Sequence, residues 1–370
     1  MNANSENNDL DLDSKEQQAE SLEDIEPISY FGADFDVFGL VRRLNNDDIV
    51  VPSFDPAVDT GPGAAQFQRK FVWKRPQMDK FVESLLLGFP VPGIFLVQQQ
   101  SHRLLVLDGQ QRLRTLEHFY SGVLPDGEPY ELEYVEERFR GRTYETLDED
   151  ERRQLDNTFI HATVIKQSSD PEAHDSIYYV FERLNTGGTS LYPHEIRVAL
   201  YQGSLVEGIR DLNSHRQWRT IFGPDSHRLK DQELILRFFA FWKDHARYKR
   251  PLKGFLNEFL ARNQNISKIE FEEFALVFRA TCDLAAEAFG EGALKAESRQ
   301  VNAALADAVL FGLSMRLEQG PISDLAALRE ARAELLADED FQTSITRATA
   351  DEARVQMRLE LAKRAFGEVA

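Results

Sequence analysis

Cysteine and long apolar runs are scarce in this chain of 370 residues, and basic residues are fewer than acidic ones. The single cysteine, Cys282, excludes an intrachain disulfide framework and any multi-cysteine zinc or iron–sulfur site. No apolar run approaches the roughly 20 residues that a membrane-spanning helix needs. The acidic N-terminus also lacks the apolar region of a signal peptide. We therefore expect a cytoplasmic protein that makes no contact with a membrane.

Acidic residues outnumber basic ones, and the net charge is −19. This balance argues against a general nucleic-acid coat protein, while a local basic patch stays open. Nine of the acids stand in residues 1–28 beside a single lysine. Such a segment cannot bury enough apolar surface to offset the entropy lost on ordering, so we predict a disordered acidic tail over 1–28.

The rest of the chain shows two apolar patterns, one typical of strands and one typical of helices. Short apolar or alternating segments predict strands at 47–54, 67–73, 93–97, 103–107 and 160–166. Helices are predicted after Pro76, after residue 111 and around Ile177, and nearly everything beyond Tyr192 has helical periodicity. The predicted fold class is α+β, with a mixed domain at 29–200 and an all-helical domain at 201–370.

Residues 126–156 form a charged insertion with twelve acids and five arginines. Charge runs of this kind are usually solvated, so we interpret the insertion as a surface element. Cys282 stands among Phe278, Ala285 and Ala286, which is typical of a buried small hydrophobic residue.

The sharpest chemical feature is the sequence D-G-Q-Q-R at 108–112, here called the DGQQR turn, between a predicted strand and a predicted helix. A helix N-terminus offers N–H groups and partial positive charge to a phosphate. Gly109 permits close approach of the backbone, and the Arg112 guanidinium can bind phosphate in a forked geometry. Asp108 would repel that phosphate unless a divalent cation lay between them, so these residues imply Mg²⁺ as well. The alternative is that Asp108 caps the helix while Arg112 pairs with a surface acid.

Two further polar segments could contribute to a site. Gln68 and Arg69 lie in the aromatic strand F-Q-R-K-F-V-W, where an exposed strand arginine is the simpler interpretation. Residues 183–189, R-L-N-T-G-G-T, permit a nest of backbone N–H groups, although an ordinary helix C-cap explains them too.

Taken together, these segments resemble the N-terminal domain of the GmrSD-type modification-dependent restriction systems. The resemblance covers about residues 35–245 and is carried by Q-R-K-F-V-W at 68–73, S-L-L-L-G-F-P-V-P-G-I at 84–94, L-D-G-Q-Q-R-L-R-T-L at 107–116 and the stretch at 181–197 that contains N-T-G-G. It implies a ParB/sulfiredoxin-like core and a pocket that binds, and is expected to hydrolyse, a nucleoside triphosphate.

By residue match, the resemblance assigns catalytic roles to Asp108, Gln110, Gln111 and Arg112, with Asp108 as the Mg²⁺ ligand. Nucleotide-binding roles fall on Gln68, Arg69, Gly109, Asn185, Thr186 and Gly187. The implied setting is DNA sensing in anti-phage defence. The expected partners are DNA and a nuclease or other defence subunit, and a homo-oligomer is compatible with these expectations.

A local basic segment lies between Ser226 and Lys253, which contains eight lysines and arginines but only three acidic residues. Lysines and arginines that contact the DNA backbone give sequence-independent, salt-dependent binding. The predicted DNA-binding residues are Arg228, Lys230, Arg247, Lys249, Arg250 and Lys253. The alternative is a solvated helix face followed by a basic loop.

Two other classes of function stay open at this point. One is a non-catalytic DNA-binding or protein-interaction module on the same fold, and the other is a metal-dependent nuclease that uses Asp108 directly. An H-N-H nuclease needs a histidine base, and the 125 residues after His245 contain no histidine. We therefore expect a partner chain to carry any cleavage of DNA.

Overall fold

The computed structural model describes residues 28–51, 73–99, 101–166, 174–184, 192–226, 228–296 and 300–369. The chain forms two compact units, one over 26–190 and one that contains 191–370. The sequence predicts a boundary after residue 200, whereas the two units of the structure meet after residue 190. The helix at Pro193–Leu200 therefore belongs to the helical unit. The predicted tail at 1–28 falls almost entirely outside the described residues.

The first unit contains a five-stranded mixed sheet, which confirms the α+β class. Its strands are β1 (Tyr30–Asp36), β2 (Ile49–Val50), β3 (Ile94–Gln98), β4 (Leu104–Asp108) and β5 (Phe159–Lys166), in the order β1-β5-β3-β4-β2. β1 is antiparallel to β5, and β3 is antiparallel to β4. The pairs β3–β5 and β2–β4 are parallel. Three of these strands lie within a residue or two of their predicted positions, and the predicted strand at 67–73 lies almost wholly outside the described residues.

The described helices of this unit are α1 (Val37–Asn45), α2 (Arg75–Leu86), α3 (Gln110–Ser121), α4 (Glu149–Asn157) and α5 (His174–Leu184). Leu113, Leu116 and Phe119 lie one helical turn apart on α3 and are fully buried against the sheet, as the periodicity predicted. Gly122 ends α3 in the left-handed conformation, with φ of 70°.

The charged insertion is not only a surface element. Its apolar side chains enter the core of the first unit, and these are Tyr130, Leu132, Val135, Phe139, Leu147 and Leu155. Two buried acids on α2 hold its backbone: Asp79 Oδ2 accepts the N–H groups of Glu133 and Tyr134 at 3.0 Å, and Glu83 Oε1 accepts that of Glu136 at 2.6 Å. The surface interpretation holds for most of the charged side chains but misses these apolar ones, most of which lie in irregular backbone that gives them no period to detect.

The described residues of the second unit form helices and the loops that join them. Its helices are α6 (Pro193–Leu200), α7 (Ser204–Asn213), α8 (Arg216–Phe222), α9 (Lys230–Asp244), α10 (Leu252–Asn263), α11 (Lys268–Phe289), α12 (Ala303–Leu317), α13 (Leu325–Ala337), α14 (Glu339–Thr346) and α15 (Glu352–Gly367). Cys282 is buried, as predicted, and burial raises the pKa of its thiol well above the ordinary value.

A buried ion cluster joins three helices of this unit. Asp307 on α12 accepts hydrogen bonds from Arg237 on α9, at 2.9 and 2.6 Å, and from Arg358 on α15, at 2.8 Å. All three residues are at most 3% exposed. The cluster connects the three helices through side-chain hydrogen bonds. Removal of one partner would leave an uncompensated buried charge, which is strongly destabilising.

Candidate nucleotide site at the strand–helix turn

The DGQQR turn begins where β4 ends. Asp108 is the last residue of β4, and Gly109 is the N-cap of α3 with φ of 100°. This left-handed conformation disfavours any residue with a Cβ atom. Gly109 occupies the N-cap position and no side chain forms a capping hydrogen bond there, so the alternative in which Asp108 is the cap does not hold.

Gly109 also lies unusually close to the neighbouring strand. A Cβ atom at this position would be 2.4 Å from Cγ2 of Ile94 on β3. Asp108 is paired with Phe95 beside an irregularity in the β3–β4 register. The glycine is therefore required by packing against β3 as well as by its dihedral angle.

Asp108 and Arg112 contact each other across the first turn of α3. Nη2 of Arg112 lies 2.8 Å from Oδ2 of Asp108. The aspartate side chain is 48% exposed and the arginine side chain 13%. Nε of Arg112 is buried and has no hydrogen-bond acceptor among the described residues. The arginine thus pairs with the aspartate of its own motif, and one of its donors still lacks an acceptor there.

The side chain of Gln111 binds a backbone group that is distant in sequence. Its side-chain Oε1 accepts the backbone N–H of Trp73 at 3.1 Å, and the backbone carbonyl of Gln111 accepts the hydroxyl of Thr115 at 2.8 Å. The Trp73 ring packs edge-on against Phe81 of α2, with the centroids 5.6 Å apart. Trp73 is the last residue of the predicted strand at 67–73, so Gln111 connects the DGQQR turn to the end of that segment.

The structure brings together only part of the predicted site. Asp108, Gly109, Gln110, Gln111 and Arg112 follow one another through the end of β4 and the first turn of α3. The other predicted nucleotide-binding residues lie outside the described residues, and these are Gln68, Arg69, Asn185, Thr186 and Gly187.

The fit of a metal ion depends on Asp108. Among the described residues, no group of three or more His, Cys, Asp or Glu side chains could hold a metal ion. A resident protein-caged metal therefore does not fit this part of the chain. Mg²⁺ that is shared with phosphates does fit, because this ion keeps several waters and needs only one or two carboxylates. The half-exposed carboxylate of Asp108 is suited to that arrangement.

The basic segment of the helical unit divides into buried and exposed parts. Lys230 and Lys253 are only 7% and 1% exposed. Nζ of Lys230 lies 4.8 Å from the centre of the Tyr192 ring, and the Arg228 guanidinium lies 4.7 Å from the same ring. Side chains as buried as the two lysines are poorly placed for a DNA backbone, so the prediction needs correction at both positions.

The exposed part is the basic loop, defined here as residues 247–250. Arg247, Lys249 and Arg250 are exposed, whereas Tyr248 is 3% exposed and donates its hydroxyl hydrogen bond to the carbonyl of Ala350. The N–H of Arg250 donates to Glu352 at 3.0 Å. The buried tyrosine anchors the loop and leaves its three cations at the surface.

The strand–helix turn, with its aspartate and arginine at the entrance to a helix, defines a candidate anion site on an α+β domain. Residues 62–202 match the family model described as GmrSD restriction endonuclease, N-terminal domain. The predicted resemblance is thereby confirmed for this part of the chain, and the match indicates a component of a restriction or anti-phage system. No curated protein and no solved structure matches the chain significantly.

No helix in the described ranges is long and apolar enough to cross a membrane.

Proposed function

We propose that the DGQQR turn binds a nucleoside triphosphate with Mg²⁺, and that the protein couples this binding to DNA in a restriction or anti-phage system. The observation that carries the proposal is the buried Nε of Arg112, which lacks an acceptor among the described residues and lies at the first turn of a helix. A buried guanidinium donor without an acceptor is costly, and a phosphate oxygen would supply one.

The ion pair within the turn suits this role. When a triphosphate and Mg²⁺ are bound, Asp108 would hold the ion and Arg112 would bind phosphate oxygens. Mg²⁺ itself would screen the charge between the aspartate and the phosphates. Until then the two side chains neutralise each other at 2.8 Å. The partial positive charge of the helix N-terminus adds to the attraction for phosphate.

Hydrolysis is the expected activity of this site. Water would attack the terminal phosphoryl group, which leaves as inorganic phosphate while the nucleoside diphosphate remains. Gln110 is our candidate for the residue that orients the water, since a glutamine side chain can both accept and donate hydrogen bonds. The proposal places the protein in the cytoplasm, where its DNA would be, and assigns cleavage of DNA to a partner chain.

Calorimetric titration of ATP and GTP tests the proposal directly, with and without Mg²⁺. Arg112→Ala is expected to weaken triphosphate binding about ten- to hundredfold, which corresponds to the roughly 1.5–3 kcal/mol of a hydrogen bond to a charged group. Arg112→Lys should recover only part of the loss, because a point charge cannot reproduce the planar guanidinium. Asp108→Asn should abolish the Mg²⁺ dependence of binding.

Arg114 offers a matched control on the same helix. It pairs with Glu117 at 2.7 Å and is more exposed than Arg112. Arg114→Ala should leave triphosphate affinity unchanged, and phosphate release by wild-type protein should be lost in Asp108→Ala. Equal affinity in the Arg112→Ala and Arg114→Ala proteins, or no binding of either nucleotide to the wild type, would overturn the proposal.

A further inference from the structure

A histidine and an aspartate form a pair where β1 and β5 lie side by side. Nδ1 of His161 on β5 lies 2.8 Å from Oδ1 of Asp34, the residue opposite it on β1. An ionised carboxylate only accepts hydrogen bonds, so Nδ1 carries the hydrogen. In the neutral imidazole Nε2 is then an acceptor, and the side chain is 61% exposed. A carboxylate that orients a histidine in this way leaves Nε2 ready to take up a proton.

Glycines on both neighbouring strands leave room for this histidine. A Cβ atom on Gly32 of β1 would lie 2.9 Å from Cε1 of the His161 ring. A Cβ atom on Gly93, the residue before β3, would lie 2.7 Å from the backbone oxygen of His161. Neither glycine is in the left-handed conformation. Their small size is therefore what this place requires, because the ring lies against β1 and the backbone of β5 lies against β3.

The DGQQR turn lies at the same end of the sheet as this pair. β1 and β4 end there, whereas β3 and β5 begin there, as the pairing of the four strands requires. Gly93, which is close to His161, is followed by Ile94, the residue that lies against Gly109. Two consecutive residues therefore connect the histidine with the turn. Two spacings between neighbouring strands, about 10 Å in all, separate β4 from β5.

The strand register also relates the histidine to the aspartate of the turn. Asp108 on β4 is paired with Phe95 on β3, and Phe95 is paired with Thr163 on β5. His161 lies two residues before Thr163, so both project from the same face of β5. A phosphate chain that is held at the turn can therefore extend across the start of β3 towards the imidazole.

We propose that His161 is the general base of the nucleotide site and that Asp34 is the residue that positions it. This inference rests on the proposed hydrolysis of a triphosphate at the DGQQR turn, and it names the group that accepts the proton of the attacking water. A histidine is the side chain that most often has this task in enzymes.

The proposed step is balanced as follows for a nucleoside triphosphate. The water oxygen bonds to the terminal phosphorus while one of its protons passes to Nε2 of His161. The bond between that phosphorus and the bridging oxygen breaks, and its electron pair leaves with the nucleoside diphosphate. The imidazolium, which Asp34 stabilises, then releases the proton to solvent. Gln110 would orient the same water, so the two residues have different tasks.

Turnover and affinity, measured side by side with ATP and GTP, test the role of His161. His161→Gln keeps a polar side chain that cannot take up a proton. Turnover should fall about a hundredfold or more, the usual contribution of a general base, while calorimetric affinity should change less than about twofold. The control is His102→Asn in the exposed turn between β3 and β4, at the opposite end of these strands from Asp108. Asparagine tolerates the φ of 63° at this position, and turnover should be unchanged.

Gly32→Ala tests the position of the ring without altering an ionisable group. The new methyl group would displace the imidazole from Asp34, because it would lie 2.9 Å from Cε1 of His161. Turnover should fall in Gly32→Ala and in Asp34→Asn, by less than in His161→Gln, and triphosphate affinity should be retained. Full turnover in both variants would show that the pair has no part in the reaction.

Spectra of protein labelled with ¹⁵N-histidine provide a readout that does not depend on turnover. In nucleotide-free protein at mildly alkaline pH, His161 should carry its hydrogen on Nδ1, and Asp34→Asn should shift the population towards the other tautomer. The His161→Gln spectrum assigns the signals. A non-hydrolysable ATP analogue with Mg²⁺ should shift the Nε2 resonance of His161 and leave that of His102 in place. An Nε2 resonance that does not respond would overturn the inference.

The outcomes separate this inference from the proposed nucleotide site. If wild-type protein binds no triphosphate, both are refuted. If it binds triphosphate without hydrolysing it, or if His161→Gln hydrolyses at the wild-type rate, the role of His161 as base is refuted while the binding site stands.

Discussion

Gly109 and Ile94 approach so closely that a Cβ atom on the glycine would lie 2.4 Å from Cγ2 of the isoleucine. The same glycine has φ of 100°. Two independent constraints therefore act on one residue of the DGQQR turn. Its presence in the motif follows from the packing of α3 on β3, whether or not a ligand also approaches its backbone.

Gly109→Ala should lower the free energy of unfolding by about 2–5 kcal/mol, since the strain of a positive φ adds to overpacking against Ile94. Gly122 is the matched control, because it has φ of 70° and a Cβ atom there would meet nothing within 4 Å. Gly122→Ala should cost only about 1–2 kcal/mol, the cost of the left-handed conformation. Urea denaturation measures both, and equal losses would contradict the packing argument.

Asp79 is a second position where one side chain supports much of the fold. It is fully buried, pairs with Arg75 at 3.0 Å and accepts two backbone N–H groups of the charged insertion. Asp79→Ala should cost about 3–5 kcal/mol, because it removes the acceptor of two backbone N–H groups and breaks a partly buried ion pair. The control is Asp126→Ala at an exposed turn, which should cost less than about 1 kcal/mol. A small loss at Asp79 would show that its contacts with the insertion contribute little to stability.

The predictable part of the fold is the part in which apolar residues recur with a regular period. Leu113, Leu116 and Phe119 indicate α3 because one helix face packs against the sheet. β1 gives no such signal: it is an edge strand with largely exposed side chains, and it follows an acidic segment. Edge strands carry little of the alternation that identifies a strand with one buried face.

In the candidate site, too, the contacts between residues close in sequence could be predicted, whereas those that depend on tertiary packing could not. Asp108 ends β4 and Arg112 lies four residues later in the first turn of α3, so their proximity follows from the local strand–helix turn. The bond from Gln111 to Trp73 spans 38 residues and depends on how α3 meets another part of the chain. The burial of Lys253 likewise depends on tertiary packing of α10, because nothing in the local charge pattern distinguishes it from an exposed lysine.

His194 on α6 predicts a specific response to acid. Both ring nitrogens are buried without hydrogen-bond partners among the described residues, and burial, with a smaller effect of Arg197, lowers the pKa of the imidazole well below its ordinary value of 6.5. The unfolded chain takes up a proton near pH 6.5 and the folded protein does not. Stability is therefore lost as the pH falls below that value.

Between about pH 7 and about pH 5.5, this one residue should cost the folded state about 1 kcal/mol. His194→Leu removes the titrating group, so its stability should fall less steeply than that of the wild type over this interval. Between about pH 7 and about pH 8 the two proteins should run parallel, since the imidazole is neutral in both states. Urea denaturation at each pH measures the difference, and parallel curves throughout the acidic interval would refute the prediction.

The basic loop predicts salt-dependent binding of DNA. Its three exposed cations, Arg247, Lys249 and Arg250, are held at the surface by the buried Tyr248. If each contacts a phosphate, replacing all three with alanine should reduce the slope of log affinity against log salt by about 3, because each neutralised phosphate contributes about 0.9. Fluorescence anisotropy with a duplex of one fixed sequence measures this slope from about 50 to about 200 mM salt.

A control for net charge replaces three other exposed cations, Lys268, Lys363 and Arg364, with alanine. Both triple variants become more negative by three charges, so long-range repulsion of DNA affects them equally. Only the basic-loop variant should show the reduced slope, because only direct phosphate contacts release counterions from the DNA. Equal slopes in the two variants would place the DNA contact elsewhere on the chain. A single change, Lys253→Ala, should leave the slope unaltered, since a side chain so deeply buried makes no contact with DNA.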